Sequence, residues 1–298
     1  MTTTELQNEI RFGENGYPEL LSQIQLPPEV LYTRGQYLAE DTLAVAIVGA
    51  RTPTPYGIWA SEKLAHGLAR NGFTVVSGMA RGIDTAAHKA ALAAGGRTIG
   101  VLGCGLDVDY PRGSSGLRRQ ISQRGVLATE FKDGTSPLPY NFPQRNRIIS
   151  GLSLAVVVIE AGLKSGSLIT ARWALDQGRE VMAVPGRIDS RLSDGPNSLI
   201  GDGALPVREA EDIVLALGME TTDPLKDHAE GVSDFIRELT GGAKRLEELA
   251  SSSGRSVSDI MAELTRLEIQ GTVKRMAGGY FTLTGKQADR HTGQDKNS

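Results

Sequence analysis

An α/β fold, built on a doubly wound, mostly parallel sheet with a small helical unit behind it, is predicted by three observations. Short apolar runs alternate with helical patterns from about residue 43 to 218, as βαβ units do. The run 155–159 (AVVVI) is apolar without alternation, the habit of a strand covered on both faces. Small residues follow nearly every strand, as in Gly49-Ala50, Ser77-Gly78, Gly103-Cys104-Gly105 and Pro185-Gly186. They allow a ligand to approach backbone closely at the carboxyl edge of the sheet, where open α/β sheets bind.

The elements follow in order. Residues 1–42 lack strong periodicity, and Pro27-Pro28 forces an extended turn. They are expected to pack on the main domain as an extension. Residues 43–218 form the Rossmann-like domain, with strands at 44–50, 73–77, 97–102, 126–128, 155–159 and 181–184. Between them, Ile58, Leu64 and Leu68 mark one helix face and 83–94 an Ala-rich helix. A closing helix is expected over 209–218. Residues 219–230 are polar, contain Pro224, and read as a linker.

Apolar positions then recur at Val232, Phe235 and Ile236, at Leu246 and Leu249, and at Val257, Ile260, Met261, Leu264 and Leu267. The last set keeps helical spacing. With two short strands around 272–274 and 279–283, residues 231–285 describe a small C-terminal winged-helix domain. The tail 286–298 is polar and expected to be disordered.

Composition narrows the function. The 298 residues are 40% hydrophobic and 22% charged, ordinary for a soluble protein. One cysteine, Cys104, allows no internal disulfide or cysteine metal cluster. The four histidines have no ligand spacing, so no metal or cofactor is expected. The start, Met1 to Glu5, is polar without a basic residue, and no apolar run approaches the ~20 residues of a membrane span. A cytoplasmic protein without a membrane span is the expectation. Net charge is −3 overall, yet residues 131–191 are positive by three. Nucleic-acid contact would therefore come from a local patch. Residues 230–285 carry seven basic against eight acidic side chains, a poor balance for gripping a duplex.

The segment 142–147 (FPQRNR) reads as a basic polar turn followed by a helix. Phe142 suits stacking on a base, and Arg145, Asn146 and Arg147 suit holding phosphates. Burial of Phe142 and ion pairs of the arginines to Glu160 or Glu130 are the bland alternative. Ser165-Gly166-Ser167 opens the next helix, with Thr170 one turn in, and leaves backbone N–H groups for an anion. Gly49-Ala50-Arg51 and Ser77-Gly78 with Arg81 add further strand-end loops of the same bias. Gly49-Ala50-Arg51 is no dinucleotide fingerprint, because an arginine stands where the second glycine would be. Asp84 and His88 share a helix face without a nucleophile nearby, and Asp84 reads as a first-turn carboxylate. No catalytic residue is assigned.

The runs GARTPTPYG, VVSGMARGIDTAAHKAAL, GVLGCGLDVDYP, NFPQRNRIISGLS, VVVIEAGLKSGSLITARWALDQGREVMAVPG and GPNSLIGDGA together resemble the bacterial DNA-processing protein A (DprA, or Smf) family. The resemblance covers about 17–211. It implies a non-enzymatic, homodimeric protein that binds single-stranded DNA in natural transformation, protects it, and loads the RecA recombinase onto it. It also implies that Arg51 is the phosphate-holding arginine after the first strand, beside Phe142, Arg145, Asn146 and Arg147 and the Ser165–Ser167 loop. Some members carry a lysine ahead of the phenylalanine; here Pro139-Tyr140-Asn141 stand there. Longer members place a helical module before the main domain, and on the start of this sequence none is expected here. The rival expectation is a nucleotide-phosphate sensor, or a nucleotide-processing enzyme such as the cytokinin-activating phosphoribohydrolases. Those carry a P-G-G-x-G-T loop, whereas this chain has Pro185-Gly186-Arg187-Ile188-Asp189.

Overall fold

A computed structural model describes residues 7–219, 239, 242–253, 256–269, 273–276 and 279–283. The chain divides into two compact units, Met1–Asp223 and Pro224–Ser298.

In the first unit the predicted strands are β3 (Ala44–Val48), β4 (Thr74–Ser77), β5 (Thr98–Val101), β6 (Val126–Thr129), β7 (Ala155–Val158) and β8 (Glu180–Ala183). With β1 (Gln7–Arg11), β2 (Val30–Gly35) and β9 (Leu205–Pro206), the sheet order is β1-β2-β6-β5-β4-β3-β7-β8-β9, and every pair from β6 through β9 is parallel. The chain therefore winds outward from β3 to β6, then returns to lay β7 on the other side of β3. The gap between the carboxyl ends of β3 and β7 is the topological switch point, where such sheets hold ligands.

Residues side by side on β3 serve opposite faces. Val45 and Ile47 join one core with Leu64 and Leu68 of α2 (Pro55–Arg70), Ile83 and Ala87 of α3 (Ile83–Ala93), and Ile213 of α8 (Ala210–Ala216). Ala44, Ala46 and Val48 join the other with Leu21 of α1 (Glu19–Ser22), Ile148 and Ile149 of α5 (Asn141–Gly151), and Ala171 of α6 (Gly166–Asp176). Both faces are covered, which explains the unbroken apolar strands. A third cluster packs Ile121 of α4 (Ser115–Arg124) on Leu102 and Leu127. The remaining helix, α7 (Asp194–Gly201), packs beside β8.

Ahead of the domain, residues 7–35 supply β1 and β2, and β2 pairs antiparallel with β6. At the far edge β9 (Leu205–Pro206) adds a two-residue strand, an edge position that tolerates proline.

The second unit has α9 (Leu246–Ser253), α10 (Val257–Ile269) and a three-stranded sheet of β10 (Lys244–Arg245), β11 (Val273–Arg275) and β12 (Tyr280–Leu283). Leu249, Ile260, Leu264 and Leu267 are buried as the spacing predicts, joined by Leu239, Val273 and Phe281. Val257 is half exposed instead. The expected helix around Val232, Phe235 and Ile236, the linker beyond Met219 and the tail 286–298 lie outside the described residues. Among the described residues, no helix is long and apolar enough to cross a membrane.

Candidate single-strand interface

The helix α5 begins one residue before Phe142, so the segment 142–147 is its first two turns rather than a turn ahead of it. Pro143 is tolerated there because the first N–H groups of a helix have no internal partner anyway. The consequence is that Phe142, Arg145, Asn146 and Arg147 leave the helix in different directions.

The Phe142 ring lies at the crest. It packs against Tyr110 at 5.3 Å between centroids, with the Arg51 guanidinium 5.4 Å and that of Arg145 6.0 Å from its centre. It rests on Gly103, where an added Cβ would come within 2.8 Å of the ring. Glycine at the end of β5 is thus what lets the ring sit down.

Two clefts flank this ring. One, of about 280 Å³, lies at the switch point, lined by Gly49, Arg51, Asp84, Phe142, Asn146 and the 165–167 loop, with Thr170 at its wall. The other, of about 500 Å³, is lined by Arg51, Arg81, Arg112, Tyr110 and Phe142 over an apolar floor of Met79, Leu102 and Cys104. Arg51, Phe142 and Arg145 border both. Arg51, Arg81 and Arg112 follow β3, β4 and β5, and all three are exposed.

The 165–167 loop is built as the sequence suggests. Ser165 caps α6, its Oγ accepting from the Ser167 N–H at 3.4 Å and lying 2.7 Å from the Ser167 hydroxyl. Asn146 donates to the Gly166 carbonyl at 3.0 Å, which ties this loop to α5. The open end of α6 faces the cleft with its partial positive charge.

The three arginines expected to hold phosphate have separate fates. Arg51 is exposed over Phe142. Arg145 is 4% exposed and donates to the carbonyls of Gly78, at 2.7 Å, and Val101. Burial lowers its pKa to about 10, offset in part by Asp84, so it remains a cation at neutral pH. It lies under the crest, where a Cβ on Gly78 would stand 2.7 Å from its Nη2. Arg147 turns away from both clefts. It forms a bidentate pair with Glu130 at 2.6 and 2.8 Å and donates to the Leu26 carbonyl, so the Glu130 pairing weighed from sequence is the one formed. Ser77 is a structural residue, its hydroxyl donating to the Ile47 carbonyl at 2.6 Å. Ala50 is buried, and its carbonyl accepts from Ile83 at 3.2 Å.

Asp84 stands in the first turn of α3, as the sequence reading has it, and it also reaches back to the loop ahead of the helix. Its carboxylate accepts from the N–H groups of Gly78 and Ala80, at 3.1 and 3.3 Å, and so shapes the loop that presents Arg81. Burial raises its pKa to about 6 against the opposing pull of Arg145. His88 is driven the other way, to about 3, first by burial and then by Arg145. The Thr98 hydroxyl spends its proton on the Val75 carbonyl. It therefore accepts from His88 Nδ1 at 2.6 Å, leaving Nε2 buried without a partner.

These two groups oppose each other in acid. His88, with a depressed pKa, contributes stability that is full above its unfolded value and lost as pH falls from 6.5 toward 3. Asp84, with a raised pKa, contributes stability that is full below 3.8 and lost as pH rises through 6. Urea midpoints at neutral pH and at about pH 4.5 should show His88→Leu losing less on acidification than the parent, and Asp84→Asn losing more. Parallel midpoint shifts in all three proteins would refute this assignment.

Sequence reasoning missed Tyr110 and Arg112, which the long excursion after β5 returns to the crest. Among the described residues no group of three or more His, Cys, Asp or Glu side chains is placed to hold a metal.

The family model described as DNA recombination-mediator protein A matches residues 8–218, and that of the DprA winged helix domain matches 236–279. Protein Smf of Escherichia coli K12 is 39% identical over 279 residues, spanning 89% of this chain and 74% of that protein. The crystal structure of DNA processing protein A from Streptococcus pneumoniae is 43% identical, with a TM-score of 0.67, covering 70% of this chain and 73% of that one. The Helicobacter pylori structure, described as revealing a single-stranded DNA binding mode, is 33% identical with a TM-score of 0.64, covering 73% and 98%.

Proposed function

The chain belongs to the DNA recombination-mediator protein A family, and on that premise we propose that it binds single-stranded DNA along the crest and delivers it to RecA. The observation that carries this reading is the alignment of three exposed arginines with the open end of α6 around one aromatic ring. Arginines and helix amides hold phosphates, while an aromatic ring serves any base. Phosphate contacts and ring stacking carry no base identity, so sequence preference should be slight. The strand crosses the Arg51–Phe142 ridge with a cleft on either side. Delivery to RecA, action as a homodimer during transformation and a cytoplasmic site of action extend the reading. The family's description as a recombination mediator and the relatives' naming as DNA-processing proteins support it.

The role is one of binding rather than turnover. Cys104 is buried and its thiol pKa raised by that burial, the opposite of an activated nucleophile. His88 is enclosed with its lone pair facing no partner.

Competition decides the binding claim. Unlabelled oligothymidine should displace a labelled single strand at a concentration at least about tenfold below that of duplex of equal length. Equal competition by duplex overturns the reading. Unchanged RecA assembly on a strand already bound by the protein would retain binding and discard loading.

A further inference from the structure

Beyond the two clefts, the outer face of α2 presents Tyr56 and Trp59, 45% and 55% exposed, at the same edge of the sheet. Their rings lie 5.9 Å apart and are inclined by only 32°. We infer that this pair is a second base-stacking platform, continuing the path of a single strand already held at Arg51. The inference rests on the single-strand reading of the crest and extends it.

The placement argues for continuity. Arg112, Arg81 and Arg51 follow β5, β4 and β3, the 165–167 loop follows β7, and Pro185 follows β8. In sheet order these are consecutive neighbours. At about 4.8 Å per strand, the row spans about 19 Å. The Tyr56 hydroxyl donates to the Pro185 carbonyl at 3.0 Å, so this ring is fixed at the β8 end of the row. α2 is itself anchored at the crest. The Thr54 N–H and hydroxyl, at its N-terminus, donate to the buried Glu160 carboxylate at 2.8 and 2.5 Å. Tyr56 lies five positions beyond Arg51, so the platform sits close to the cleft in sequence.

The chemistry argues for a nucleic-acid strand. A fixed ring offers a stacking face at little entropic cost. Burial and Glu160 raise the Tyr56 pKa, so its hydroxyl stays protonated and keeps its bond. The Lys63 ammonium stands 5.5 Å from the centre of the Trp59 ring, held by the Arg208 carbonyl at 3.2 Å, and supplies a cation for a passing phosphate. Charges break up the apolar surface close by: Glu62 is exposed on the same helix, and the exposed Ile188 stands between Arg187 and Asp189, which pair with each other at 2.7 Å. A standard protein interface buries roughly 800 Å² per partner around an apolar core. Two rings amid charges suit the bases of a strand better.

The chain has two tryptophans, Trp59 and Trp173, and Trp173 lines a different cleft beside Arg147. In full-length Trp173→Phe protein, emission therefore reports Trp59 alone. Oligothymidine of about fifteen nucleotides should quench it, while one of about two, too short to reach from the Arg51–Phe142 ridge to the β8 end of the row, should not. Trp59→Ala should weaken binding of the longer strand about tenfold and leave the shorter unchanged. Absent quenching, with binding still weakened by Arg51→Ala, overturns the platform and spares the clefts. Quenching with binding indifferent to Arg51→Ala overturns the cleft reading and spares the platform. A fall in oligomeric mass of Trp59→Ala in light scattering would make the face a contact between copies and also overturn the inference.

Discussion

Replacing Arg145 with leucine should destabilise the first unit by about 3–5 kcal/mol, as losing one partner of a buried charge pair does. The substitution removes the donors to the Gly78 and Val101 carbonyls and the cation facing Asp84. Those carbonyls end β4 and β5, so the loss loosens the loops that carry Arg81 and Arg112. Asp84 can relieve part of the cost by taking up a proton, because its pKa is already raised to about 6. Pairing Arg145→Met with Asp84→Asn should therefore recover part of the loss, since an apolar and a neutral side chain replace two charges. Arg51→Ala should stay within about 0.5 kcal/mol of the parent, as an exposed substitution does. Urea midpoints check all three. Arg145→Leu unfolding at the parent midpoint would contradict the buried-cation assignment.

The sheet was legible because both of its faces are covered. Strands such as β3 and β7 had to be apolar at every position, and helices had to separate them. The 165–167 loop was legible for a local reason: a serine cap and a glycine state a helix start on their own. β1 and β2 were not, because their residues alternate with Glu9, Arg11 and Arg34 in a partly exposed antiparallel edge. The start of α5 was misplaced because Pro143 and four polar neighbours read as a turn, though a first helical turn accepts both. The fates of the arginines were only partly legible: the Glu130 pair was one of the alternatives open for them, but which arginine would take it was not. Arg145 meets carbonyls 67 and 44 residues away, and Arg147 a carbonyl 121 residues away. A basic residue buried by distant backbone and one left free for phosphate look alike in sequence.

Arg51→Ala should weaken oligothymidine binding about tenfold, the scale of one hydrogen bond to a charged group. It should also lower the slope of log affinity against log salt by about 0.7, the counterion equivalent of one phosphate on a single strand. Arg51→Lys separates charge from shape. It keeps the slope, because the cation survives, but loses part of the affinity, because an ammonium cannot lie flat over the Phe142 ring as a guanidinium does. Arg147→Ala is the control. It breaks the Glu130 pair and costs stability, yet at low temperature, where the fold persists, the salt slope should equal the parent's. Anisotropy titrations across salt read all three variants. If Arg147→Ala lowers the slope as much as Arg51→Ala does, phosphate contact extends beyond the crest, and the division between a free arginine and two structural ones fails.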